Sequence, residues 1–177
     1  MTTSKKQFIP CGIIPAVVTP LTAAGCFNEP AMRKLINYLI DGGVHGLFVT
    51  GTTGEFYGLS PEEKKEIFQV TLDETKGRVP VYAGTNGITT RESVLLTQLA
   101  EECGVDAVSV LTPMFITPTQ EQLIGHYKTI AANTSLPVLM YNNPPKTGVN
   151  LTAPTVAKLA EVPNIVSIKD SSGDLTL

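Results

Sequence analysis

Lys169 is the residue of this sequence best placed to do covalent chemistry. It ends an apolar run, Ile165-Val166-Ser167-Ile168, that has the composition of a buried strand. An amine at the mouth of a sheet is partly desolvated, which favours its neutral, nucleophilic form. Such an amine attacks a carbonyl carbon and forms a Schiff base. The alternative interpretation is a solvated lysine that pairs with the adjacent Asp170.

Tyr141 lies near the end of the preceding apolar run, residues 137–144. If the two runs form neighbouring strands, the phenol lies close to the amine of Lys169. It could then transfer protons or donate a hydrogen bond to a substrate carboxylate. The simpler interpretation is a strand-end tyrosine with its ring in the core and its hydroxyl in water.

A third candidate is a turn with two hydroxyls between glycines, Gly51-Thr52-Thr53-Gly54-Glu55. Glycine lets the backbone approach a ligand closely, and hydroxyls with turn N–H groups can hold a small carboxylate. A tight turn that caps a helix explains the same residues without any ligand.

Six apolar, β-branched runs must position these side chains: residues 12–20, 46–51, 79–85, 106–113, 137–144 and 165–172. Their starts are 27 to 34 residues apart, a spacing suited to βα units. Each run is continuously apolar, as strands buried on both faces are. Amphipathic helices are predicted between them, beginning at Asn28, Ser60, Thr89 or Thr90, Pro118 or Thr119, and Thr152.

Alternating strands and helices fit either an open doubly wound sheet or a (β/α)8 barrel. The turn after the first run lacks the GxGxxG of a dinucleotide-binding fold, and the sequence contains no P-loop motif. Polar residues instead follow several runs at their carboxyl ends, where a barrel has its active site. We therefore expect a single α/β domain, a (β/α)8 TIM barrel, with only the first six βα strands present in residues 1–177.

Composition excludes several function classes. A net charge of −3 and a pI near 5.4 argue against binding to nucleic acid or membrane surfaces. We expect no membrane span and no signal peptide, and hence a cytoplasmic protein. The three cysteines are predicted to be small buried side chains. His45 and His126, the latter predicted on a helix surface, form no metal-binding pattern.

Three ordered motifs carry a family resemblance: Gly51-Thr52-Thr53-Gly54-Glu55, Tyr141-Asn142-Asn143-Pro144 and Ile168-Lys169-Asp170-Ser171-Ser172. In this order the chain resembles the dihydrodipicolinate synthase / N-acetylneuraminate lyase family of Schiff-base-forming (class I) aldolases. The resemblance covers essentially all 177 residues, including the opening residues 12–20.

The resemblance implies a (β/α)8 barrel that acts on pyruvate or another 2-oxo acid and an aldehyde, without metal or organic cofactor. Lys169 would form the imine with C2 of the keto acid, and Tyr141 would be the acid/base phenol. Thr52, Thr53 and Gly54 would hold the substrate carboxylate, with Thr53 also in the proton relay. The resemblance further suggests a homo-oligomer, a tetramer built as a dimer of dimers.

Two expected substrate-binding residues depart from the synthase branch of the family. Phe115 stands where that branch has a tyrosine that reaches across from a neighbouring subunit, and it has no hydroxyl to relay protons. Lys146 stands where the branch has an arginine, and it keeps the charge without the bidentate fork. These changes favour a lyase or aldolase for a sugar-acid-like 2-oxo acid. The alternative is dihydrodipicolinate synthase itself, which condenses pyruvate with aspartate semialdehyde.

The third departure is length, because full family members contain two further strands and a C-terminal helical region. A sheet of six strands keeps two open edges. We therefore expect that these 177 residues alone do not form a closed barrel, and that the rest belongs to a longer protein or to another chain. Two readings of another class stay open: a non-catalytic relative that binds keto acids, and an inactive fragment.

Overall fold

The centre of the molecule is a parallel sheet of five strands. The computed structural model describes residues 8–174. The strands follow one another in sequence order and are β1 (Leu47–Val49), β2 (Val81–Gly84), β3 (Ala107–Leu111), β4 (Val138–Asn142) and β5 (Ile165–Asp170). A doubly wound sheet reverses its strand order at a switch point, whereas the wall of a βα barrel does not. The topology is therefore that of a barrel wall.

Among the described residues, six α-helices connect and flank the strands, in addition to a 3-10 turn at Phe56–Gly58: α1 (Glu29–Asp41), α2 (Pro61–Thr75), α3 (Thr90–Cys103), α4 (Gln120–Ala132), α5 (Pro144–Thr147) and α6 (Ala153–Leu159). The first four begin where the sequence predicts, because side-chain oxygens of Asn28, Ser60, Thr89 and Thr119 accept hydrogen bonds from first-turn N–H groups. Helices α2 and α4 both have complete capping boxes.

The first predicted strand, residues 12–20, is only partly formed. Ala16 makes an isolated parallel bridge to Phe48, and the N–H of Val17 donates to the Phe48 carbonyl at 2.8 Å. Pro15 has no N–H to contribute to a strand ladder, and Gly12 has a φ of +74°. The segment therefore runs beside β1 without continuing as a regular strand, and five of the six predicted strands are present among the described residues.

The two faces of the sheet have different partners. Side chains such as Val49, Val108 and Met140 pack against the helices in the main core. Alternate side chains, among them Phe48 and Leu139, lie in a separate cluster on the other face. Because the strands are parallel, their carboxyl ends lie at one edge of the sheet. The loops that carry the candidate residues meet there.

Two predictions about single side chains are wrong. His126 is buried, at 4% exposure, and its Nδ1 lies 2.9 Å from the hydroxyl of Thr90. Burial lowers the pKa of this imidazole to about 4. Cys11 and Cys26 are exposed instead of buried, because both lie in the irregular chain before α1.

Within residues 8–174, no group of three or more His, Cys, Asp or Glu side chains is arranged to hold a metal ion. In the same range, no helix combines the length and apolarity needed to cross a membrane.

Candidate active site

The pairing of β4 with β5 brings the two principal candidates together. Tyr141 and Lys169 are register partners in adjacent parallel strands. The Nζ of Lys169 lies 3.7 Å from the centroid of the Tyr141 ring and 5.9 Å from that of Phe48. It also donates a hydrogen bond to the Ser171 hydroxyl at 3.2 Å. The amine is therefore half-buried beside aromatic rings, near the carboxyl end of β5.

Asp170, the alternative partner of Lys169, is held by other groups. Its carboxylate accepts hydrogen bonds from the Asn142 amide at 2.7 Å and from the hydroxyl of Ser172 at 2.6 Å. The hydrogen bonds from Ser172 and then Asn142 lower the pKa of this carboxyl. Asp170 thus fastens the end of β5 to β4 and leaves the Lys169 amine directed towards Tyr141.

The Tyr141 hydroxyl is set in a small polar network although the residue is 3% exposed. It accepts a hydrogen bond from Nδ2 of Asn143 at 2.9 Å and lies 3.4 Å from the hydroxyl of Thr52. Burial alone raises the pKa of the phenol. The hydrogen bonds of Thr52, Lys169 and Asn143 and the positive charge of Lys169 outweigh burial, so the pKa lies below its usual value. The phenol is therefore suited to give up and take back a proton.

The turn after β1 is shaped by backbone conformations that position Thr52. Thr50 has a φ of +52°, unusual for a β-branched residue, and its hydroxyl donates to the Gly84 carbonyl at 3.0 Å. A Cβ at Gly51 would lie 2.7 Å from the Phe48 ring, so only glycine fits there. These two residues turn the chain so that the Thr52 side chain meets Tyr141.

The turn places the hydroxyl of Thr52, and not that of Thr53, beside the phenol, and the role of Thr53 in a proton relay stays a prediction. Thr53 is exposed, and the threonine hydroxyl within hydrogen-bonding distance of the phenol, among the described residues, is that of Thr52. Gly54 is buried, and its carbonyl accepts a hydrogen bond from Thr19 at 2.7 Å, which closes the turn. Contact of Thr53 and Gly54 with a substrate carboxylate stays a prediction.

The two remaining candidates lie outside the cluster formed by Lys169, Tyr141 and Thr52. Phe115 is 90% exposed with a φ of +78°. Lys146 is exposed on the short helix α5, where its N–H donates to the Asn143 carbonyl. Neither side chain contacts the Tyr141 hydroxyl, and their roles in substrate binding stay predictions.

Two side chains that contact Lys169 or Tyr141 were not among the candidates predicted from the sequence. Phe48 lies on the face of β1 that points away from the main core. The centroid of its ring is 5.9 Å from Nζ of Lys169 and 6.3 Å from the centroid of the Tyr141 ring. Asn143 contacts the phenol directly. The alternation of side chains along β1 could have placed Phe48 on that face. The direction of Asn143 towards the phenol depends on the turn after β4, which the sequence does not reveal.

A cavity of about 380 Å³ lies next to Lys169, on the face of the sheet that carries Phe48 and Leu139. Its lining combines apolar side chains with the polar groups of Lys169, Ser109 and Ser167. Pockets of this size hold small organic ligands. The cluster therefore has a half-buried amine, a phenol of lowered pKa and, next to the amine, space for a small organic compound.

Comparison with known proteins fits this chemistry. The model of the dihydrodipicolinate synthetase family matches residues 10–177. The chain belongs to this family. A 4-hydroxy-tetrahydrodipicolinate synthase of Bacillus velezensis is 47% identical over 163 residues, which cover 92% of this chain and 56% of the relative. The enzyme of the same name from Desulforudis audaxviator is 45% identical over 163 residues, 92% of this chain and 55% of that protein.

Solved structures of family members have the same fold. A dihydrodipicolinate synthase of Acinetobacter baumannii, described as complexed with pyruvate, superimposes with a TM-score of 0.92 at 41% identity, over 93% of this chain and 57% of that one. YagE of E. coli K12, also described in complex with pyruvate, gives 0.90 at 40% identity, over 93% and 56%. The parallel βα sheet is thus part of the family's TIM barrel, as predicted. The chain spans just over half the length of these relatives.

Proposed function

We propose that this chain carries the Schiff-base centre of a class I lyase that acts on pyruvate or a related 2-oxo acid. The observation that carries the proposal is the position of the Lys169 amine, 3.7 Å from the centroid of the Tyr141 ring. The phenol beside it has a lowered pKa. Two structurally similar relatives are described as pyruvate complexes, which supports a 2-oxo acid as the substrate.

The reaction begins with attack of the neutral Lys169 amine on C2 of the keto acid. The C–N bond forms as the π bond of the carbonyl breaks, and a proton passes from the nitrogen to the oxygen, which becomes a hydroxyl. Tyr141 then gives its proton to this hydroxyl, which leaves as water, and an iminium ion and a phenolate remain. The phenolate removes a proton from C3 and yields an enamine. The enamine attacks an aldehyde carbon, or the reverse sequence cleaves the bond.

The second substrate is where two candidate functions differ. Phe115 lacks a hydroxyl and Lys146 lacks the fork of arginine, which favours a sugar-acid-like 2-oxo acid as substrate or product. The names of relatives at 45–47% identity favour condensation of pyruvate with aspartate semialdehyde. Turnover measured with aspartate semialdehyde and with sugar-derived aldehydes distinguishes the two.

The proposal extends to assembly and location. Three apolar side chains in the loops that follow β2 and β3 are exposed: Ile88 at 54%, Phe115 at 90% and Ile116 at 73%. Burial of such side chains between copies of the chain favours a homo-oligomer, and we propose that these residues form the contact. A cytoplasmic location is proposed because the three cysteines are all free, as is usual in a reducing compartment.

Intact mass after incubation with pyruvate and sodium borohydride tests the proposed chemistry. We expect a stable adduct of one reduced pyruvate per chain. Lys169→Ala should abolish it, whereas Lys158→Ala, which removes an exposed lysine on α6, should not. A folded chain without an adduct contradicts the proposal. An adduct without turnover of any aldehyde instead indicates a non-catalytic keto-acid-binding relative.

A further inference from the structure

We propose that Asn143 is a positioning residue that directs the proton of Tyr141 and stabilises its phenolate. This inference rests on the proposed function, because it assigns a role to a neighbour of the acid/base phenol. The observations that carry it are the direction of one hydrogen bond, an unused helix cap and the contrast with the preceding asparagine.

The hydrogen bond between Asn143 and Tyr141 has only one possible direction. The amide Nδ2 lies 2.9 Å from the phenol oxygen, and both residues are buried. An amide nitrogen donates and cannot accept. The phenol oxygen must therefore accept from Asn143, and its own proton must point elsewhere. The hydroxyl of Thr52, 3.4 Å from the phenol oxygen, can accept this proton.

Asn143 occupies a position where its side chain normally has another task. It is the N-cap of α5, and an N-cap asparagine normally accepts a hydrogen bond from an N–H of the first turn. Asn28 does so at the start of α1, where it accepts from Ala31 at 3.2 Å. The side chain of Asn143 makes no such bond. The Asn143 side chain therefore donates to the Tyr141 hydroxyl instead of capping α5.

The backbone of Asn143 fixes the direction of its side chain. Its carbonyl accepts hydrogen bonds from the N–H groups of Lys146 and Thr147, each at 3.0 Å, and from the Thr147 hydroxyl at 3.1 Å. Thr147 is itself buried and bonded to the Thr112 hydroxyl. These contacts hold the residue in place, so little conformational freedom is lost when the amide meets the phenol.

The preceding residue shows that two consecutive asparagines have different roles. The Asn142 amide donates to Asn150 at 2.9 Å and to Asp170 at 2.7 Å, and its oxygen accepts from the Leu151 N–H at 3.0 Å. Both the amide nitrogen and the oxygen of the Asn142 side chain are therefore occupied by hydrogen bonds that join β4 to β5 and to the loop before α6. Asn143 directs its donor only to the catalytic hydroxyl among the described contacts.

The chemical consequence follows from the charge change at Tyr141. When the phenol gives its proton to the departing hydroxyl, the amide donor faces a phenolate. A hydrogen bond to a charged acceptor is shorter and about twice as strong as one to a neutral acceptor. Asn143 thus favours the form of Tyr141 that takes the proton from C3, and it does so without touching the substrate.

Titration of Tyr141 in the full chain tests this role independently of catalysis. Tyrosine is labelled with 13C at Cζ, the pH dependence is followed by NMR, and Tyr141→Phe identifies the signal. Loss of the donor in Asn143→Leu, a side chain of similar size, should raise the Tyr141 midpoint by about one pH unit or more. Asn143→Asp, which keeps the shape and adds a negative charge, should raise it further. The exposed Asn133→Leu should leave it unchanged.

A second readout separates this inference from the proposed function. With pyruvate and borohydride, Asn143→Leu should still form the Lys169 adduct, about tenfold more slowly, and its rate profile should shift to higher pH. If the unaltered chain forms no adduct, the proposed function fails, while the Tyr141 titration still decides the role of Asn143. An unchanged midpoint in both Asn143 variants, each shown to be folded by circular dichroism, would overturn the inference.

Discussion

At the scale of single residues, the site depends on one phenol that faces a lysine amine. Tyr141→Phe keeps the ring, which packs with Phe56 and Leu111, and removes only the hydroxyl. The acid/base group is then lost, so the rate of borohydride-trapped adduct formation should fall by about 10²- to 10⁴-fold. Tyr38→Phe, at an exposed position on α1, should keep the original rate. Equal rates in both variants would remove Tyr141 from the mechanism.

The second prediction at this scale concerns His126, whose folded-state pKa of about 4 lies below its ordinary 6.5. The unfolded chain therefore binds this proton at a higher pH than the folded chain does. Stability is unaffected above pH 6.5 and falls as the pH decreases from 6.5 to about 4, at up to about 1.4 kcal/mol per pH unit. Urea unfolding at a series of pH values measures this slope.

His126→Gln should flatten the slope between pH 6.5 and 4.5, because the amide can still contact Thr90 without titrating. The window stops at 4.5 because Glu74, Glu101 and Asp170, whose pKa values are lowered, lose their contributions at lower pH. A slope that survives in His126→Gln would show that another group is responsible.

The sequence predicts those site residues whose position follows from a strand end. Lys169 and Tyr141 lie at the ends of consecutive apolar runs, so parallel pairing alone brings them together. That the Thr52 hydroxyl lies beside the phenol could not be predicted, because the course of this turn depends on the positive φ of Thr50. The burial of His126 could not be predicted either, because the helical pattern does not reveal which residues cover that side of α4.

At the scale of elements, helix starts were more predictable than strands. Caps are local, so Ser60 and Thr119 mark α2 and α4 from sequence alone. Regular strand structure depends on neighbours, and residues 12–20 pair with β1 through a single bridge. The short helix α5 was missed because its four residues are too few to show a periodic pattern.

The capping box of α2 provides the prediction at this scale. Ser60→Ala removes the acceptor of the Glu63 N–H, whose bond is 3.2 Å long, and should lower the free energy of unfolding by about 1 kcal/mol. Glu63→Gln keeps both bonds of the box and should cost much less, since α4 already uses Gln122 in this position. Chemical denaturation measures both variants. A loss of similar size in the two would indicate that charge, and not the cap, is important here.

At the scale of the whole molecule, the strand order and the family assignment both indicate a TIM barrel. The uninterrupted order from β1 to β5 distinguishes a barrel wall from a doubly wound sheet, and the family model covers residues 10–177. The sequence predicts this architecture through the spacing of its apolar runs. It cannot predict which surfaces meet another molecule, because exposure of Phe115 and Ile116 becomes visible only in three dimensions.

The proposed contact between copies supplies the last prediction. Ile116 is 73% exposed and shares a surface groove with Ile88, so Ile116→Lys places a charge in an apolar contact and should shift the chain towards monomer in sedimentation velocity. Leu95→Lys alters an equally apolar side chain, 57% exposed on α3, and should leave the assembly unchanged. If Ile116→Lys and Leu95→Lys sediment alike, the contact lies on another surface.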